Sequence, residues 1–334
     1  VGKSALVTNS TGDNNTAVGK DALYANTTGS RNVALGTFSL DANTTAADNT
    51  AVGYAALGAN TTGTQNIAIG SNAMLVSTTA SYNVGIGGYA LDAVSTGASN
   101  IGIGYTALSS VSTGTNNVGI GHAALVANTA SNNVAIGYQA ADNTTSGANN
   151  VAIGAYAMDA NTTGQYNVAV GTTALDANTT ADNNTAVGYN ALTANTTGYD
   201  MTCIGSGAGA VATTAVGCTF VGRACGDAET DGIFDTAVGS NAYGAGASAD
   251  YNTAMGYQAL DAATTSSSNV AIGYAALSAT VTAGVNTAVG QSAMGVANGA
   301  TECTAIGYAA LTALTTGDYN VALGKGAGPS ITTG

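Results

Sequence analysis

Short apolar runs return along the chain at a fixed interval, and each is bounded by asparagine and glycine. They have the form N-[TV]-A-[VI]-G, and the closing glycine serves as a register mark. Successive marks lie 17 residues apart, except for one step of 16 between Gly121 and Gly137. The marks and the asparagines four residues before them include Gly19, Gly36, Gly53, Gly188, Asn15, Asn32, Asn49 and Asn184. A fixed period with fixed chemistry at each position predicts that every repeat is one coil, stacked on the next.

The coils are predicted to be β rather than helical. Runs such as NVAIG are short and β-branched, and an NTTG turn follows a second short run, A-L-x-A. Val33 and Leu35 share one face of their strand and Ala34 and Gly36 the other, so both faces are apolar or small. One face can line the coil, but a lone solenoid would leave the other in water. We therefore expect sister chains to cover the second face.

The fold predicted for residues 1–334 is a single all-β repeat domain. It is a parallel β-solenoid of about twenty 17-residue coils, with degenerate repeats at about 200–250. The short step is expected to fall in the loop at 128–131, because loops tolerate deletions and strands do not. Two roles remain open for the asparagine row. The side-chain amides can hydrogen-bond from coil to coil, or each can cap its own turn.

Composition narrows the possible functions. The 18 acidic residues outweigh five basic ones, giving a net charge of -13 that disfavours nucleic acid as a partner. No apolar run reaches the roughly 18–20 residues that a membrane span needs. With one histidine, the chain offers few convergent acids, bases or nucleophiles, so no enzyme is predicted. The chain opens inside a repeat at Val1, and we interpret it as a segment of a longer protein.

The run N-[TV]-A-[VI]-G-x-x-A, as at 133–140, resembles the repeat of YadA-like heads in trimeric autotransporter adhesins. With its NTTG loop it is also similar to the repeats of phage fibres, and the resemblance covers nearly the whole chain. It implies a left-handed parallel β-roll, three chains wound side by side, and a binding or spacing role on a cell or virion surface. The coil is longer than the YadA type, so we expect an enlarged loop at NTTG.

One loop in the degenerate region imitates a calcium-binding loop. Its first, third, fifth and ninth positions are acidic and its sixth is glycine, a pattern formed by Asp227, Glu229, Asp231, Asp235 and Gly232. Alternate oxygens around a glycine turn can surround Ca²⁺, the one cofactor that the sequence suggests. However, the twelfth position is Val238 rather than a bidentate glutamate. An exposed acidic loop is the alternative.

Several other residues have two interpretations. His122 occupies a variable surface position. The cysteines stand where alanine or asparagine is usual and fit as small buried residues, with a Cys203–Cys218 disulfide as the alternative. Asp142, Asp159 and Asp176 share one position in successive coils, where we expect solvent exposure rather than cation bridging. The tyrosines after the marks form a surface for glycans or pack at the coil edge; they are Tyr54, Tyr105, Tyr138, Tyr189, Tyr257, Tyr274 and Tyr308.

The function predicted from these features is that of a structural and adhesive fibre segment. It would be an extracellular homotrimeric rod on a cell or virion, on the order of 95 Å long, that binds a surface glycan or another receptor through many weak contacts. Ice binding is an alternative, because the threonines of the NTT turns form rows. A glycan-cleaving fibre is another and would need a carboxylate pair within 227–235.

Overall fold

The computed structural model describes residues 1–279, 282 and 284–333. The chain divides into two compact units, Val1–Tyr166 and Asn167–Gly334. Within the described residues there is no helix long and apolar enough to cross a membrane.

Each unit is a parallel β-solenoid in which a coil contributes one strand of three residues. The strands of the first unit are β1 Thr16–Val18, β2 Val33–Leu35, β3 Thr50–Val52, β4 Ile67–Ile69, β5 Val84–Ile86, β6 Ile101–Ile103, β7 Val118–Ile120, β8 Val134–Ile136 and β9 Val151–Ile153. Those of the second unit are β10 Val168–Val170, β11 Thr185–Val187, β12 Thr202–Ile204, β13 Thr219–Val221, β14 Thr236–Val238, β15 Thr253–Met255, β16 Val270–Ile272, β17 Thr287–Val289, β18 Thr304–Ile306 and β19 Val321–Leu323.

The strand register repeats the sequence period. Within each unit neighbouring strands pair in parallel, and paired residues are 17 apart, as for Thr16 with Val33 and Val168 with Thr185. The predicted β-solenoid with 17-residue coils is confirmed. The short step is confirmed as a loop deletion, because Val118 still pairs with Val134. In that loop Asn128 bonds to both backbone groups of Ala130, at 3.0 and 3.1 Å, and so closes the shortened turn.

The marks are glycines because the coils approach each other closely there. At Gly36, φ is 146°, and a Cβ would lie 2.2 Å from the carbonyl oxygen of Gly53. No side chain fits so close to the next coil. The backbone conformation is also one that residues other than glycine rarely adopt. After the mark, alternate residues have a left-handed backbone conformation. Even a leucine adopts it, as at Leu23, where φ is 49°. A left-handed residue costs roughly 1–2 kcal/mol, and hydrogen bonds between coils offset that cost, such as Leu23 N–H to Ser39 O at 3.0 Å.

The interior of each coil is thin and filled by small residues. The central strand residue is buried, usually as alanine, and beside it lie the alanine and leucine three and four residues after the mark, as at Ala22 and Leu23. The first and third strand residues point outward instead. The sequence predicted two apolar faces, and the structure assigns the alanine face to the inside.

The degenerate coils keep their interior filled by exchanging large and small residues. Gly209 and Gly226 stand where leucine is usual, and Phe220 replaces the central strand alanine in the coil between them. A Cβ on Gly226 would lie 2.7 Å from the Phe220 ring, and one on Gly209 would lie 3.2 Å from it. The phenyl ring therefore occupies the space that two leucine side chains fill elsewhere.

We predict that Phe220→Ala destabilises the protein by about 3–5 kcal/mol, because it leaves this space empty. Adding Gly209→Leu and Gly226→Leu restores the usual alanine and leucine pattern and should recover part of the loss. Urea unfolding measures both effects, with Phe234→Ala, a ring that is 57% exposed, as the control. If the triple variant is less stable than Phe220→Ala, the exchange does not explain the packing.

Candidate functional site

Two columns of buried asparagine run through the interior of the coils. In the first column, four residues before each mark, the side-chain oxygen accepts the backbone N–H of the next asparagine, as from Asn32 to Asn15 at 2.9 Å. The side-chain nitrogen donates to a carbonyl 14 residues ahead, as from Asn32 to Ala46 at 2.8 Å. This column therefore links each coil to the next mainly through the backbone.

The second column contains the asparagine of the NTTG turn, which lies outside the asparagine row that the sequence pattern singled out. Asn43 Nδ2 donates to Asn26 Oδ1 at 2.9 Å, and Asn60 Nδ2 donates to Asn43 Oδ1 at 3.0 Å. Asn60 Nδ2 also donates to Gly63 O at 3.0 Å and so closes its own turn. In the predicted row, which is the first column, side-chain amides also bond from coil to coil at some positions, as from Asn66 Nδ2 to Asn49 Oδ1 at 3.2 Å.

The acidic residues of the calcium-like loop occupy different environments. Glu229 and Asp235 are buried in the coil interior, at positions where the two columns carry asparagine. Asp227 is half-buried and Asp231 is exposed. In the part of the chain that the structure describes, no three His, Cys, Asp or Glu side chains are grouped so as to hold a metal ion. Calcium binding by this loop therefore stays a prediction, with two of its four acids in the coil interior.

The two buried carboxyl groups accept hydrogen bonds from the backbone. Glu229 Oε1 accepts from the N–H groups of Thr230, Asp231 and Gly232, the last at 2.6 Å. Asp235 Oδ1 accepts from Asn252 N–H at 2.7 Å. One oxygen of each carboxyl would lie within 2.7 Å of a Cβ on Gly232, so the two groups are close together.

Burial in this interior raises the pKa of both carboxyl groups. It raises the pKa of Asp235 to about 7, against the lowering effect of the Asn252 N–H, and the nearby Glu229 carboxylate raises it further. Burial also raises the pKa of Glu229, although its bonds from the Gly232 and Asp231 N–H groups oppose the change.

The Tyr243 hydroxyl supplies the hydrogen-bond donor that the side-chain amide of an asparagine at position 235 would provide. Its hydroxyl donates to Ala249 O at 3.0 Å, the carbonyl 14 residues beyond Asp235, and accepts from Asn252 Nδ2 at 3.1 Å. Burial raises the pKa of Tyr243, so the phenol remains protonated and available as a donor. This role was not visible in the sequence, where Tyr243 stands four residues after the mark at Gly239, a position at which most repeats carry leucine or methionine.

We predict that stability falls as the pH rises from about 4 to about 7. The folded state holds a proton on Asp235 in this range that the unfolded state releases, so unfolding is favoured by deprotonation, by at most about 4 kcal/mol. Asp235→Asn restores the usual residue of the column, should flatten the slope and should be more stable than the wild type at pH 8. Urea titrations at several pH values test this, with exposed Asp231→Asn as the control. An unchanged slope in Asp235→Asn would contradict the assignment.

The cysteines are all buried and unpaired. The Cys218 thiol donates to Gly232 O at 3.3 Å and the Cys303 thiol to Gly317 O at 3.2 Å, the same contact that asparagine makes in that column. Burial raises the pKa of Cys218 and of Cys225 to about 12, which keeps both as thiols. The structure thus places the cysteines as small interior residues rather than as a disulfide.

The outer surface of the strands exposes apolar side chains in each unit. We call the first and third residues of the strands the sheet face. Leu35 is 46% exposed, whereas Ala34 between the two rows is fully buried. Valine and isoleucine dominate the sheet face in the first unit, and threonine is frequent in the first row of the second unit. Neither row contains a charged residue.

The remaining candidate residues lie on other surfaces. The seven tyrosines that follow the marks are 46–60% exposed, so each is partly covered and partly accessible. His122 is exposed between two of them. Asp142, Asp159 and Asp176 are half-buried rather than fully exposed, and burial raises the pKa of Asp142 and of Asp176.

The sequence matches no protein-family model, and no curated protein has a significantly similar sequence. The functional argument therefore depends on the geometry of the sheet face, the interior columns and the exposed rings.

Proposed function

We propose that this chain is a segment of a structural and adhesive fibre that assembles as a homotrimer through the sheet face. The observation that carries the proposal is the uncharged sheet face: both of its rows are mostly apolar and accessible in the first unit, and the third strand residues form such a row in the second unit. Burying a valine, isoleucine or leucine side chain contributes roughly 1.5–3 kcal/mol. A long row of such residues left in water is therefore a strong driving force for association.

Charge supports the sheet face as the contact surface. The chain carries a net charge of -13, so most of its surface would repel another copy. The sheet face carries none of these charges, so copies can approach there without that cost. The number of copies, three, follows from the resemblance to YadA-like heads.

The proposed role is mechanical and adhesive rather than catalytic. Such a segment would lie outside the cell or on a virion, and its repeated surface positions would bind a glycan or another receptor through many weak contacts. The glycan-cleaving alternative finds no support, because Glu229 and Asp235 are buried in the coil, where a sugar cannot reach them.

We predict that Ile136→Asp with Ile153→Asp, on the sheet face of the first unit, abolishes trimerisation. Two carboxylates per chain would have to be buried in the interface, which costs several kcal/mol. The matched control is Ser146→Asp with Thr163→Asp, at exposed positions equivalent to the natural Asp231. Analytical ultracentrifugation should detect a trimer for the wild type and control and a smaller species for the sheet-face variant. A monomeric wild type, or a sheet-face variant that remains trimeric, would refute the proposal.

Ice binding remains a second candidate because of one row of the sheet face. In the second unit most first strand residues are threonine, and they are not buried: Thr185, Thr202, Thr219, Thr236, Thr253, Thr287 and Thr304. The threonines of the NTT turns are less suitable, since the first of each pair donates to the next coil, as from Thr27 to Thr44 O at 3.0 Å. Thermal hysteresis in the purified protein would favour ice binding, and its absence would favour the fibre.

A further inference from the structure

Five exposed aromatic rings lie in successive coils of the first unit, and we call them the aromatic ladder: Tyr89, Tyr105, His122, Tyr138 and Tyr156. Neighbouring ring centroids are 5.3–6.0 Å apart. The three central rings are stacked, with interplanar angles of 26° and 18°, and the two outer rings stand nearly edge-on to them. The four tyrosines are 39–53% exposed, so the ladder is an accessible surface.

The coil itself does not require these rings. The ladder residues lie one or two positions after the marks, where other coils carry small polar residues such as Ser71 and Thr172. Those coils keep the same strand and the same pairing register. The aromatic residues are therefore an addition to the surface of these five coils rather than part of the interior.

The same positions already hold ammonium groups against aromatic rings elsewhere in the molecule. In the first unit Lys20 Nζ lies 5.2 Å from the centroid of the Phe38 ring. In the second unit Lys325 Nζ lies 5.6 Å from the centroid of the Tyr308 ring. In both cases the lysine and the ring are in adjacent coils, so the coil spacing suits a cation–π contact at these positions.

The ladder lacks such a cation of its own. The sequence contains no lysine or arginine between Arg31 and Arg223, and His122 is the one basic side chain in the ladder. Carboxyl groups lie in the same coils as three of the tyrosines: Asp92, Asp142 and Asp159. Exposed rings in coils that also carry carboxyl groups, on a chain of net charge -13, form a surface complementary to positive charge.

We infer that the aromatic ladder binds a basic polypeptide segment, with lysine or arginine side chains placed against the tyrosine rings and near the adjacent carboxylates. A sugar ring fits less well, because the stacked central rings partly cover each other and offer no broad flat face. An ammonium or guanidinium group needs only part of one ring and one nearby carboxylate. This inference names a ligand class that the proposed fibre function leaves open, and it does not depend on trimer formation.

The experiment measures binding of hexalysine and hexaarginine peptides to the protein by calorimetry at low salt. The test variant is Tyr105→Thr with Tyr138→Thr, because Thr37 and Thr172 show that threonine is natural at this position. The matched control is Tyr189→Thr, a tyrosine that is 60% exposed at the same position of the second unit. Its sequence equivalents in the adjacent repeats are Thr172 and Ser206, so it belongs to no ladder. We expect about tenfold weaker binding for the test variant and unchanged binding for the control.

Three outcomes would overturn the inference. The first is peptide binding that is equal in the wild type and the test variant, which would mean that net charge alone attracts the peptides. The second is an equal loss in the Tyr189→Thr control. The third is binding of a neutral glucose hexasaccharide without binding of either peptide, which would make the ladder a sugar-binding surface. Thermal melting of each variant checks the fold. Sedimentation of the same samples reports the oligomeric state separately, so failure of the trimer proposal is distinguishable from failure of this one.

Discussion

The hydrogen bonds that join each coil to the next are the constraint on which the rest of each unit depends. A coil of 17 residues includes only three in a strand, so most of its backbone must find partners elsewhere in the neighbouring coils. Alternating left-handed residues turn successive N–H groups toward opposite neighbours, as Asp21 bonds to Lys3 O and Leu23 to Ser39 O. Buried backbone groups are thereby paired in a segment that is neither helix nor strand. The coils therefore contain several residues each in the unfavourable left-handed backbone conformation.

This pairing fixes what the interior can contain. The coils stack at strand spacing and approach each other closely at the glycines. The interior of each coil therefore has room for alanines, one leucine and two amide side chains. Asparagine suits the interior because its amide both donates and accepts, so it can satisfy a carbonyl and an N–H of different coils. Larger apolar residues are placed on the outside of the strands as a result. The apolar sheet face is therefore a consequence of a narrow interior rather than a separate feature.

The degenerate coils show how far the interior tolerates substitution. Phe220 compensates for Gly209 and Gly226 by volume, whereas Cys218 and Cys303 replace asparagine by function, since a thiol makes the same contact with a carbonyl. Asp235 keeps the acceptor but lacks a donor in its ionised form, and the Tyr243 hydroxyl supplies that donor instead. What matters at each position is the filled space and the paired polar group, and more than one residue type can provide them.

The sequence by itself determined the period, the strands, the register and the location of the single short step, because a regular repeat leaves one way to align its strands. It also offered side-chain amide bonds between coils as one role for the asparagines before the marks, but it did not anticipate the second column in the NTTG turns. It did not determine which face of the strand lies inside, since Ala34 and Leu35 are both apolar and only the width of the coil excludes the larger residue. It placed the acids at 227–235 in one loop by spacing, whereas the columns of the solenoid turn Glu229 and Asp235 inward and leave Asp231 exposed. The ladder from Tyr89 to Tyr156 likewise required the tertiary structure, because residues about 17 apart become neighbours only when the coils stack.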